Sequence, residues 1–121
     1  MIISSYIYIP VNNLEKAASW YEKNLGFKIR HKDTLYYDLR TANEVKIMLL
    51  TNENHINSQM NYSSGQQPTY GFCVSDFDTI KQILANNNVK IGETFDYFGR
   101  SFSFFDLDGN KIEIWEDYNY D

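Results

Sequence analysis

At 121 residues with 43% apolar side chains, the chain has the length of one domain and enough apolar material for a packed core. A formal charge of −5 argues against nucleic-acid backbones and anionic membranes as partners, because both call for a basic patch. The single cysteine, Cys73, excludes an internal disulfide and a cysteine-based zinc site, and no run approaches the ~18 apolar residues of a membrane span.

Aromatic residues reach 17%, with ten Tyr and eight Phe. They either line a surface or cavity or serve as ordinary strand formers. The opening MIISSYIYIPVNN has no basic segment ahead of an apolar run. It does not read as a secretory signal, and a cytoplasmic protein is expected.

In chain order, Ile2–Val11 reads as a strand in which Ile7, Ile9 and Val11 alternate with Tyr6, Tyr8 and Pro10. Asn13 is placed to cap a helix whose apolar stripe is Leu14, Ala17, Ala18, Tyr21 and Leu25, and Gly26 supplies a left-handed stop. Strands are expected at Phe27–Lys32, Leu35–Leu39 and Val45–Leu50. The polar stretch that follows has almost no apolar periodicity and reads as a long linker, either a flap or a spacer.

A strand at Thr69–Val74 begins the second half. Asp76 caps a helix striped by Phe77, Ile80, Ile83 and Leu84, which Asn86-Asn87-Asn88 ends. Strands near Lys90–Phe95, Arg100–Phe105 and Lys111–Trp115 complete the set, the last two joined by a turn at Asp108-Gly109-Asn110. The tail, from Glu116 onward, is polar and expected to fray.

The halves repeat one another. Val11-Asn12-Asn13-Leu14 matches Val74-Ser75-Asp76-Phe77, and Asn24–Ile29 matches Asn86–Ile91. Tyr36–Leu39 matches Phe104–Leu107, and Lys46–Leu50 matches Lys111–Trp115. Four matches in one order imply a duplicated unit. The fold expected is α+β: two βαβββ modules forming a curved mixed sheet around a central cup. Module one is 1–51, the linker 52–67, module two 68–116 and the tail 117–121. Alternation directs Ile7, Ile9, Val11, Ile47, Leu49, Tyr70, Phe72, Val74, Ile112 and Ile114 toward the helices. The opposite set is Tyr6, Tyr8, Met48, Leu50, Thr69, Gly71, Cys73, Glu113 and Trp115.

IYIPVNNLEKAASWYEKNLGFKI and FFDLDGNKIEIWE, taken with the repeat, resemble the vicinal-oxygen-chelate superfamily of glyoxalase I, extradiol dioxygenases, and fosfomycin- and bleomycin-resistance proteins. Leu107 stands where a proline is usual in the second segment. The resemblance implies four metal-ligand positions, one at the start of the first strand and one on the last strand of each module. Here they fall on Tyr6, Met48, Thr69 and Glu113. Only Glu113 is a strong ligand for a hard divalent metal, and neither His31 nor His55 lies at such a position.

The residues therefore resemble the metal-free, bleomycin-resistance-like members, which implies a small-molecule binding protein and a homodimer, with no metal and no cofactor. Drug or antibiotic sequestration is the role that likeness suggests, with an aromatic or cationic ligand. Candidate ligand-binding residues are Tyr6, Tyr8, Met48, Leu50, Thr69, Cys73, Arg100, Glu113 and Trp115. Tyr6, Tyr8 and Trp115 can stack on a flat or cationic ligand. Glu113 is open to three roles: acceptor or counter-ion, general base, or a relic paired with Lys46, Lys111 or a tyrosine. Cys73 reads as a small core residue with no histidine base, and Arg100 as a rim or structural residue with a ligand contact as its alternative. A metal-dependent lyase, isomerase or dioxygenase, and a non-catalytic structural or regulatory dimer, remain the other two readings.

Overall fold

The computed structural model describes residues 1–117. Two compact units make up the chain, Met1–Asn57 and Ser58–Asp121. Both are α+β, and both carry the βαβββ order.

The first unit runs β1 (Ile7–Val11), α1 (Leu14–Leu25), β2 (Lys28–Lys32), β3 (Tyr36–Arg40) and β4 (Lys46–Thr51). Its sheet order is β1-β4-β3-β2, with β1 parallel to β4 and the other pairs antiparallel. Asn13 caps α1, its side chain accepting from the Lys16 amide at 2.9 Å. Gly26 ends the helix at φ +75°, a left-handed conformation that costs an L residue more than glycine. Residues 2–6 lie outside the strand expected there and are exposed.

The second unit begins with a hairpin, β5 (Met60–Tyr62) and β6 (Gly65–Gln67). It continues with β7 (Tyr70–Val74), α2 (Phe77–Asn86), β8 (Phe95–Asp96), β9 (Arg100–Phe105) and β10 (Lys111–Glu116). The order β7-β10-β9-β8 repeats that of the first unit. Asp76 caps α2 by accepting from Thr79 N at 3.1 Å and Thr79 Oγ1 at 2.8 Å, bonds that hold its carboxyl below the ordinary range. Asn88, the counterpart of Gly26, also turns left-handed, at φ +63°.

Each sheet buries one face. Ile9, Val11, Ile47 and Leu49 in the first unit, and Ile112 and Ile114 in the second, are fully buried, as alternation predicts. Each such side chain contributes roughly 1.5–3 kcal/mol. Phe77 of α2 meets Phe102 edge-on at 5.2 Å, and Tyr21 of α1 meets Phe27 at 6.1 Å. Because α2 sits chiefly over β10, Tyr70, Phe72 and Val74 are only half-buried. Ile83, expected in the apolar stripe, faces outward from α2.

Several expectations need correction. Residues 52–67 are not an irregular linker throughout. The turn Ser63-Ser64 leads into Gly65 at φ +130°, where glycine is required, and folds back the short hairpin of β5 and β6. The strand expected at Lys90–Phe95 is broken. Ile91 makes one isolated bridge to Phe104, and pairing resumes at Phe95–Asp96. Glu116 belongs to β10, not to a frayed tail, and Asp117 N still donates to Val74 O at 2.9 Å. The rest of the tail, 118–121, lies outside the described residues.

The repeat also changes in one place. Tyr36–Leu39 does not correspond to Phe104–Leu107. Leu39 pairs with Ile47, and Phe104 pairs with Ile112, so the true match is displaced by three residues. Asp106 is a turn residue, whereas Asp38 is a strand residue. The other three matches hold in the register or at the caps.

Candidate functional site

Opposite its helix, each sheet carries an open face, and the sequence-predicted residues divide between the two units. On the first unit, β1 and β4 align Tyr8 with Met48, and β4 and β3 align Met48 with Asp38. The next row is Pro10, Leu50 and Tyr36. Tyr6 and Tyr8 are 56% and 53% exposed and pack edge-on at 5.2 Å. The Tyr6 hydroxyl beside it raises the Tyr8 phenol above its ordinary range, with a smaller push from Tyr36.

Sequence reasoning missed Asp38. Arg40 grips it with two bonds, Nε to Oδ1 at 3.2 Å and Nη2 to Oδ2 at 3.1 Å, so it faces Met48 as a neutralised pair. The polar alternation Tyr36, Asp38, Arg40 in β3 was the available signal.

On the second unit, Glu113 lies between Gly71 of β7 and Ser103 of β9. Trp115 lies between Cys73 and Ser101. Both rows place a large central side chain between small ones. The Glu113 carboxylate is half-buried and makes no hydrogen bond or ion pair among the described residues. The lysines proposed as its relic partners are engaged elsewhere. Lys111 Nζ donates to Gln66 O at 2.6 Å, and Lys46 Nζ donates to Ser4 Oγ at 2.8 Å. Gly71 is required by close approach, since a Cβ there would lie 2.5 Å from the Glu113 carbonyl oxygen. Cys73 is exposed, not a core residue, because Phe72 and Val74 take the half-buried side of β7.

Two predicted residues are committed to other contacts. Thr69 Oγ1 is hydrogen-bonded to Ser58 Oγ at the base of the hairpin. Arg100 shares the helix-side face with Phe102. It stacks over the Phe77 ring at 4.5 Å and binds Glu116 at 2.7 Å and Asp78 at 3.0 Å. That pairing holds the Glu116 carboxyl below its ordinary range.

A divalent metal does not fit the four positions implied by the resemblance. Tyr6 and Thr69 are neutral hydroxyls, Thr69 is already bonded, and Met48 is a soft thioether. No group of three or more His, Cys, Asp or Glu side chains forms a ligand set among the described residues. Nor is any helix among them long and apolar enough to cross a membrane.

The Asp106–Asn110 segment, the most motif-like stretch of the chain, is structural. Asp106 Oδ1 accepts from the amides of Asp108 and Asn110, both at 2.9 Å. Asn110 Nδ2 donates to Asp106 Oδ2 at 2.9 Å, and Ser58 N donates to Asn110 Oδ1 at 2.8 Å. The turn therefore also anchors the start of the hairpin.

Comparison with known proteins adds three structures and one family. The model of the Glyoxalase/Bleomycin resistance protein/Dioxygenase superfamily matches residues 3–114. No curated protein matches the chain. The fosfomycin resistance protein FosX from Listeria monocytogenes superposes with a TM-score of 0.75 at 16% identity, covering 97% of this chain and 95% of that one. The antibiotic binding protein TnmS3 from Streptomyces sp. CB03234 gives 0.71 at 19%, covering 96% and 98%. Lactoylglutathione lyase from Agrobacterium tumefaciens gives 0.72 at 14%, covering 94% and 92%. At these identities the likeness is one of fold.

Proposed function

Because the chain belongs to the glyoxalase/bleomycin resistance protein/dioxygenase superfamily, we propose that it is a metal-free small-molecule binding protein of the cytoplasm, of the drug- or antibiotic-sequestering kind. The observation that carries this reading is the pair of rows Gly71–Glu113–Ser103 and Cys73–Trp115–Ser101. They set a carboxylate without a bond among the described residues two residues from an indole on one open face, with small neighbours on either side. A planar cation suits that arrangement, its ring over Trp115 and its charge toward Glu113.

Cation–π contact contributes about 0.5–1 kcal/mol when exposed and ~2 kcal/mol when desolvated. A partly exposed ion pair adds up to about 1 kcal/mol. The exposed tyrosines of the first unit, with Met48 and Leu50, offer a second aromatic face of the same character. The net charge of −5 favours the approach of cations. Antibiotic binding and fosfomycin resistance are found on this fold in TnmS3 and FosX, so the architecture accommodates the role.

The test is titration of the full chain with a panel of planar cationic drugs, read by tryptophan fluorescence. Saturable quenching is expected, abolished in Trp115→Phe and weakened about three-fold or more in Glu113→Gln. No saturable change below ~1 mM across the panel would refute the reading. Stoichiometric Mn, Fe, Ni or Zn in protein purified without chelator would replace it with a metal-dependent one.

A further inference from the structure

A groove with a cavity volume of about 310 Å³ opens at one end of the first unit's open face, where Pro10 and Leu50 lie side by side. Its remaining walls come from Leu35, Thr51, Asn52, Glu53, Asn54 and Ile56. The volume is at the lower end of the range typical of small-molecule sites.

The groove is built, not a gap between loose loops. Thr51 N donates to Leu35 O at 3.1 Å and Asn52 N to Val11 O at 2.9 Å, which pins the start of the loop to β1 and to the residue before β3. The Asn52 side chain then closes the loop on itself. Its Nδ2 donates to Ile56 O at 2.7 Å, and its Oδ1 accepts from Ile56 N at 3.2 Å. Closing so short a ring takes His55 to φ +53°, a left-handed conformation that His, like Asn and Asp, adopts more readily than other L residues.

The result is an apolar trough whose Leu35, Leu50 and Ile56 stay 57%, 38% and 59% exposed. Apolar side chains gathered at a concave site in this way mark a contact surface. Among the described residues, Glu53 is the one charged side chain lining the trough, and it has no hydrogen bond or ion pair there.

We infer that this groove binds the apolar tail of a small alkylammonium-type amphiphile, with the cationic head at Glu53. An apolar floor selects the tail. The uncompensated carboxylate, on a chain of net charge −5, selects a positive head over a neutral or anionic one. The site uses no residue of the second unit; it shares Leu50 with the first unit's open face and relies on neither Glu113 nor Trp115.

Hexylammonium is the probe, with hexanol as its neutral counterpart, and methyl NMR of the full chain is the readout. Saturable shifts are expected at Leu35, Leu50 and Ile56, with hexylammonium bound about two- to five-fold more tightly than hexanol at low salt. That preference should vanish in Glu53→Gln and at high salt, and Ile56→Ser should weaken both probes. Both substitutions are at exposed positions, so the fold is retained. The inference is overturned by any of three results: no saturable shift at these methyls up to ~10 mM, an equal affinity for the two probes, or a preference that survives Glu53→Gln. The methyls of Leu35, Leu50 and Ile56 report this groove and Trp115 fluorescence reports the other face, so failure here and failure of the drug titration are separate outcomes.

Discussion

Asn110→Ala is the sharpest test of how the second unit is held together. Asn110 is fully buried, and among the described residues its side chain bonds the Asp106 carboxylate and accepts from the Ser58 amide. Truncation leaves the main-chain bonds of the turn in place but removes both of these. A hydrogen bond to a charged group contributes about 1.5–3 kcal/mol and a neutral one about 0.5–1.5 kcal/mol. The loss is therefore about 2–4.5 kcal/mol. For a chain of this size, 1 kcal/mol moves the melting temperature by roughly 4 °C, so a fall of about 8–18 °C is expected.

Thermal unfolding followed by circular dichroism measures the global effect. Hydrogen exchange at Ser58 and along the hairpin β5–β6 measures the local one, because the Ser58 amide loses its acceptor. A fall of less than ~2 °C with unchanged exchange would show that the side chain holds neither the turn nor the hairpin. Drug binding at the open face, measured per folded molecule, should be unaffected, since Asn110 lies off that face.

Four further outcomes follow from the same structure. Gly71→Ala should destabilise by roughly 1–3 kcal/mol in urea unfolding, because its Cβ would meet the backbone of Glu113 and push β7 from β10. Glu15, Asp76 and Glu116 have carboxyls held below their ordinary range: Glu15 by Lys32 and the Tyr37 hydroxyl, Asp76 by Thr79, and Glu116 by Arg100. A depressed folded-state value contributes stability above the unfolded pKa of about 4, lost as pH falls through the folded values, so urea midpoints should drop below about pH 4. Arg100→Ala should flatten the part of that profile due to Glu116. Tyr6→Phe should return the Tyr8 phenol toward its ordinary range in an ultraviolet pH titration, and an unchanged profile would refute the contact. The homodimer that the family resemblance alone implies is tested by sedimentation at tens of micromolar, with a monomer as the refuting result.

The duplication was legible because turn, cap and alternation signals act locally. Asn13, Asp76 and Gly26 needed only their own segment to define the helix ends. The period of two in Lys46–Leu50 and Lys111–Trp115 was enough to sort buried Ile47 and Ile112 from open Met48 and Glu113. The resemblance between Tyr36–Leu39 and Phe104–Leu107 misled because two aromatics and an Asp recur by composition, whereas strand register is set by a partner distant in sequence.

What the amino-acid sequence determined by itself was the α+β class, the two βαβββ units and which face of the first and last strand of each unit is open. Each follows from residue chemistry within a few positions. The tertiary structure alone decided the state of the side chains on those faces. It tied Thr69 to Ser58, neutralised Asp38 with Arg40, turned Arg100 onto Phe77, and left Glu113 without a bond among the described residues beside two small neighbours. Those outcomes depend on which polar atoms meet across strands and loops, and polar partners far apart in sequence carry no local signature.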